Sequence, residues 1–242
     1  MKRFWYLSAY AALSVMLLSA CSSPHGQPQT GSEPVAPNMV SDFATLYGDN
    51  CAGCHGAKGQ GGAAIAVADP VYLAIIDQST MRKVIAKGVH GTSMPAFAQS
   101  AGGMLTDIQV DAIASGIFAH WSRKGILDGN NPPAYASITP GNAAHGEMVY
   151  HAYCASCHGS TGAGGPKGSC ITNDSFLALV SDQGLRTIVI TGRPDLGAPD
   201  WRGNIPGRPM TDQQITDVVA WLASHRVQSP GQPYTASNNA AH

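Results

Sequence analysis

Two stretches of the chain set apolar residues at helical spacing behind the same polar opening. LTDIQVDAIASGIFAHW (105–121) places Ile108, Ile113 and Ile117 after Thr106-Asp107, and MTDQQITDVVAWLASHR (210–226) places Ile215, Val218, Val219 and Leu222 after Thr211-Asp212. Each reads as an amphipathic helix. Thr106 and Thr211 suit the N-cap, where a hydroxyl accepts from a free backbone amide, and Asp107 and Asp212 meet the positive end of the helix dipole. His120 and His225 fall at matching places near the helix ends, where a solvated cation favours the C-terminal dipole. Upstream, DPVYLAIIDQSTMRKVIAKG (69–88) and NDSFLALVSDQGLRTIVITG (173–192) align without a gap, pairing Tyr72 with Phe176, Leu73 with Leu177, Arg82 with Arg186 and Gly88 with Gly192. The chain is therefore an internal repeat.

Three polar stretches bound the two copies. SSPHGQPQTGSEPVAPN (22–38) has too few apolar residues to fold and reads as a tether, and the tail from Ser229 is of the same kind. GILDGNNPPAYASIT (125–139) breaks the helical pattern and marks the boundary between two units, 39–124 and 140–228. Ahead of the tether, Lys2 and Arg3 precede an apolar run from Phe4 to Ala20, an export signal covering residues 1–20. Leu18-Ser19-Ala20-Cys21 resembles the bacterial lipobox, which implies cleavage before Cys21, a lipid on that cysteine, and a tether over 21–38 held on a membrane. An uncleaved anchor is the alternative, and either way the rest of the chain faces the periplasm or the cell exterior.

Composition adds a constraint. The 242 residues leave room for two small domains, yet only 7% are aromatic and 28 are glycine. Large side chains for two cores are scarce. A net charge of −1 without a basic run gives no reason to expect a nucleic-acid partner.

Of six cysteines, four stand in two copies of one spacing, Cys51-Ala-Gly-Cys54-His55 and Cys154-Ala-Ser-Cys157-His158. C-x-x-C-H is the attachment motif of c-type haem. Two thiols one helical turn apart form thioethers with the haem vinyl groups, and the adjacent histidine supplies a proximal nitrogen to the iron. Pairing both motifs into one zinc site would leave the histidines unexplained, and no βαβ pattern supports a thioredoxin-like pair. Two covalent haems would also supply the apolar bulk that the composition lacks. Tyr47 and Tyr150 precede the first cysteines by four residues, and glycine-rich loops, GAKGQGGAA and GSTGAGGPKGS, follow the histidines.

On these residues each unit resembles a class I, mitochondrial-type cytochrome c domain. The resemblance implies an all-α fold of two tandem domains. In each, a first helix runs into C-x-x-C-H, short helices follow, and a loop with an axial methionine precedes a last helix that crosses the first. Gly91-Thr-Ser-Met94-Pro95-Ala-Phe97 matches the family's axial-methionine segment. The implied site is Cys51, Cys54, Cys154 and Cys157 for the haems, His55 and His158 as proximal ligands, and Met94 on the far face of the first iron. The second unit departs from the pattern. Six residues after Gly192, where Met94 follows Gly88, stands Ala198, which is flanked by Pro199 and Trp201 as Met94 is by Pro95 and Phe97. The expectation is an open or weakly ligated second iron, with Met210 the first rival as ligand, a histidine the second and Cys170 a distant third. Met104 and Met210 are expected to pack beside the last helices, Phe97 and Trp201 to wall the haem pockets, and Cys170 to be a small buried residue. His90, His145 and His151 read as surface or outer residues.

The function implied is electron transfer by a membrane-tethered dihaem cytochrome with redox-protein partners. These are a quinol-oxidising Rieske/cytochrome b-type complex or a terminal oxidase. A dihaem enzyme of peroxidase or thiosulfate-oxidising type, working at an open second haem, is the alternative.

Overall fold

Residues 35–228 are described in a computed structural model, so the predicted signal, Cys21 and the tail from Ser229 lie outside the described residues. The fold is all-α. Ten helices follow in order: α1 (Phe43–Asn50), α2 (Ala52–His55), α3 (Pro70–Ile75), α4 (Gln78–Lys87), α5 (Asp107–Trp121), α6 (Ala143–Tyr153), α7 (Ala155–His158), α8 (Asp174–Leu179), α9 (Asp182–Thr191) and α10 (Asp212–Ser224). The second five repeat the first. No helix among the described residues is long and apolar enough to cross a membrane. Val35–Met39 belongs to a separate unit and carries a single 3-10 turn, Pro37–Met39; the described residues from Val40 onward form one unit.

Local chemistry fixes the helix starts. Thr106 and Thr211 each close a capping box, accepting from the backbone amides of Gln109 and Gln214, whose side chains bond back to the cap. Asp42, Asp69 and Asp77 cap α1, α3 and α4. The apolar stripes hold with one correction. Ile215, Val218, Val219 and Leu222 are buried, as are Ile113 and Ile117, but Ile108 is 74% exposed. Five residues separate Ile108 from Ile113, which turns it about 140° off the buried face of a 3.6-residue helix. Val110 and Ala114 complete that face instead.

First and last helices cross in both halves, α1 on α5 and α6 on α10. At each crossing a glycine lets the helices close up, and the halves place that glycine on opposite partners, the last helix in the first half and the first helix in the second. In the first, a Cβ on Gly116 of α5 would lie 2.1 Å from the Phe43 ring of α1. In the second, the equivalents are reversed: Gly146 of α6 faces α10, where its Cβ would lie 2.9 Å from Trp221 Cβ and 2.0 Å from the Asp217 carbonyl oxygen.

Each half has its own apolar cluster, the first built on Leu46, Tyr72, Ile85 and Ile113, the second on Tyr150, Leu177, Ile190 and Ile215. The halves also share contacts. α3 of the first half packs on α9 of the second, and Val71 sits in the second cluster. The 125–139 segment is anchored on both sides of an exposed stretch, 128–132. Ile126 and Leu127 pack on the second cluster and Tyr135 on the first. Arg186, 2% exposed, donates to the carbonyls of Ala134 and Tyr135 while also holding Thr216 and Asp212. Its repeat partner Arg82 pairs with Asp107 and Asp111 at the surface.

Candidate functional site

Both C-x-x-C-H segments form a single helical turn behind a kink. Cys51 and Cys154 leave the helical region with φ −121°, ending α1 and α6 and starting α2 and α7. Their amides still donate to the carbonyls of Tyr47 and Tyr150, at 2.9 and 2.8 Å, and the histidine amides return to the first cysteines at 3.0 Å in both. None of the four cysteines is paired in a disulfide. Burial, with a smaller contribution from the neighbouring cysteine, pushes the thiols of Cys51 and Cys154 up to about 11. Among the described residues no group of three or more His, Cys, Asp or Glu gathers around a common metal position.

The histidines are oriented alike. His55 Nδ1 lies 2.8 Å from the Ile65 carbonyl oxygen and His158 Nδ1 2.8 Å from that of Ser169. A carbonyl only accepts, so Nδ1 carries the proton and Nε2 keeps its lone pair for a metal. Burial lowers the pKa of His55, against a smaller opposing effect of the Ile65 bond, and favours the neutral ring that ligation needs. Two further devices hold the turn. The hydroxyls of Tyr47 and Tyr150 donate to the carbonyls of Gly56 and Gly159, directly after the histidines. Gly62 and Gly165 pass so close that a Cβ would lie 2.0 and 2.4 Å from the carbonyl oxygens of Cys54 and Cys157. Paired thiols on one turn and an imidazole with a free Nε2 fit a covalently attached haem in each half. The tyrosines were visible in sequence as a repeated spacing; the Ile65 and Ser169 carbonyls had no such signal.

On the methionine side, Met94 lies in the loop between α4 and α5, half-buried, and Ala198 in the matching loop between α9 and α10. Trp201 is 1% exposed and Phe97 half-buried, each in its own cluster. Met210 is 3% exposed within the second cluster, whereas Met104, expected to pack beside its helix, is 79% exposed. Cys170 is exposed, which corrects its expected burial: the glycine-rich loop carries it outside the second cluster. His145 Nδ1 sits 2.6 Å from an Asp217 carboxylate oxygen. His120 stacks on Phe43 and His225 caps α10 against the Trp221 carbonyl, so both pack on aromatic neighbours at the helix ends.

The fold and the two motif turns define an all-helical, tandem-repeat chain of the cytochrome kind. It belongs to the family described as cytochrome c oxidase, cbb3-type, subunit III, whose pattern matches residues 38–115 and 141–222. A relative is the cbb3-type cytochrome c oxidase subunit CcoP of Azospirillum sp. (strain B510), 32% identical over 131 residues, which cover 50% of this chain and 39% of that protein. The chain thus spans well under half of that relative's length. Among solved structures, the reducing HAO-like protein complex of Kuenenia stuttgartiensis is 14% identical, with TM-score 0.43 over 78% of this chain and 99% of that one. The thiosulfate dehydrogenase TsdBA of Marichromatium purpuratum is 22% identical, with TM-score 0.28 over 81% and 43%.

Proposed function

We propose that the chain is a membrane-tethered dihaem c-type cytochrome that transfers electrons between respiratory or photosynthetic partners outside the cytoplasm. One observation carries the reading: each C-x-x-C-H turn sets two cysteines on one helical turn beside a histidine whose Nδ1 is bonded to a carbonyl. Cys51 and Cys54 would hold one haem and Cys154 and Cys157 the other. His55 and His158 would ligate the irons through Nε2, and Met94 would supply a thioether to the first. Bound haem supplies a one-electron iron couple, and a His/Met pair sets it comparatively high because the thioether favours Fe(II).

The rest is the chain's own work. The domains are 39–124 and 140–228, and the 125–139 segment with the α3–α9 contact fixes the two attachment turns in one packed unit. A signal over 1–20, a lipid on Cys21 and a tether over 21–38 would hold that unit at a membrane, raising its effective concentration for membrane partners. Family membership supports a terminal oxidase as partner, with a quinol-oxidising Rieske/cytochrome b-type complex the other candidate. The test is mass spectrometry of the denatured protein. Two haems remain with the polypeptide if the thioethers form, and Cys51→Ala with Cys54→Ala removes one of them. A chain that leaves its haem behind on denaturation, or carries none, would refute the proposal.

A further inference from the structure

The two loops start and end alike but deliver different side chains, and between those points they differ: Gly91 takes φ +72° in the first, whereas the second makes a 3-10 turn over Pro194–Leu196 with Gly197 at φ +82°. Gly88 and Gly192 take φ +66° and +68°, and each opens a turn in which the next amide donates to the carbonyl five residues on. Val89 donates to Met94 and Arg193 to Ala198, both at 3.0 Å. A Cβ on Gly88 would lie 2.6 Å from the Met94 carbonyl oxygen, and one on Gly192 2.7 Å from that of Ala198. Met94 and Ala198 therefore hold one backbone position. A thioether there is an iron donor and a methyl is not.

We infer, resting on the dihaem reading above, that the second haem has no side-chain ligand on its far face and accepts a small neutral ligand there, of the size of carbon monoxide or nitric oxide. The loop is closed against rearrangement. Ala198 donates back to the Arg193 carbonyl at 3.0 Å, Leu196 donates to the same carbonyl at 2.8 Å, and two bonds of 2.9 and 2.8 Å tie Arg193 to Asp195. Met210 is packed in the second cluster with its sulfur 4.0 Å from the Asn204 side-chain amide. Its amide donates to the Trp201 carbonyl at 2.9 Å, as the Leu105 amide donates to Phe97 at 2.7 Å. It stands where the first half has a leucine, so packing accounts for it. The histidines of this half are also placed: His145 on Asp217, His225 on the Trp221 carbonyl, and His151 exposed on α6 beside Tyr150. A neutral ligand fits better than an anion, because both arginines within five residues of Ala198 are neutralised, Arg193 by Asp195 and Arg202 by Asp200.

Carbon monoxide titrated into the reduced full-length holoprotein, read by the Soret band, tests this. One equivalent per chain is expected. Ala198→Met should abolish that binding and add a second methionine-to-ferric-iron charge-transfer band. Met94→Ala should raise the stoichiometry to two, and Met210→Leu should leave it at one; these two arms decide the matter even if Ala198→Met does not fold. A two-haem wild type that binds none, or two, overturns the inference, and a gain of binding in Met210→Leu would assign the ligand to Met210. The haem count by mass is taken on the same sample. A count below two removes the dihaem reading and this inference with it, which tells that failure apart from a wrong ligand assignment.

Discussion

Met94 sits on a loop whose shape is set by its own carbonyl and by Gly88, so its side chain can be removed without unmaking the turn. On the proposed dihaem reading, Met94→Ala is expected to shift the first haem from low spin towards high or mixed spin and to lower its potential, because that reading makes Met94 the ligand that favours Fe(II). An optical spectrum with a redox titration checks this; an unchanged spectrum would place the ligand elsewhere. Tyr150 offers a second probe. Tyr150→Phe keeps the ring and deletes the bond to the Gly159 carbonyl, at a cost of about 1 kcal/mol readable by denaturant unfolding. The two C-x-x-C-H turns were legible as a repeated spacing, because the proposed covalent chemistry demands particular side chains at particular positions. Cys170 and Met104 were not, since a residue type carries a preference for burial but no information about which loop bends outward.

The helix starts at Thr106 and Thr211 were readable one residue at a time, because the cap and its Gln partner at the third helical position lie together in sequence. The helix crossings were not readable in that way, since each depends on a residue of one helix and a residue some 70 positions later. Gly116→Ala puts a methyl into the Phe43 ring and is expected to destabilise the protein by about 1–3 kcal/mol. Phe43→Leu combined with it should recover part of the loss, so a double-mutant cycle gives a coupling well outside simple addition. An additive pair would mean that the ring and the glycine do not meet.

Alignment pairs Arg82 with Arg186 as equals, yet only Arg186 reaches the segment joining the halves, and its partners there are backbone carbonyls that no sequence pattern announces. Arg186→Met should destabilise the protein by about 1–2 kcal/mol through the lost bonds to the linking carbonyls and Thr216, while Arg82→Met, at the surface, should leave the melting temperature nearly unchanged. Acid stability has a local source in the second half. Burial alone would raise the Asp217 carboxyl, but the Asn142 amide, the His145 ring and the Gln213 side chain together hold it below the ordinary 3.8. A folded value below the unfolded one gives stability that is complete above the unfolded value and is lost as pH falls through the folded one. Asp217→Asn should flatten that acid limb in a series of unfolding curves taken below pH 5; an unaltered limb would place its origin elsewhere. The oppositely placed crossing glycines have a consequence for a chain that makes nearly the same unit twice. Phe43 facing Trp221 would crowd one false pairing, and Gly146 facing Gly116 would hollow the other. Each first helix is therefore shaped to fit its own last helix better than the near-copy beside it.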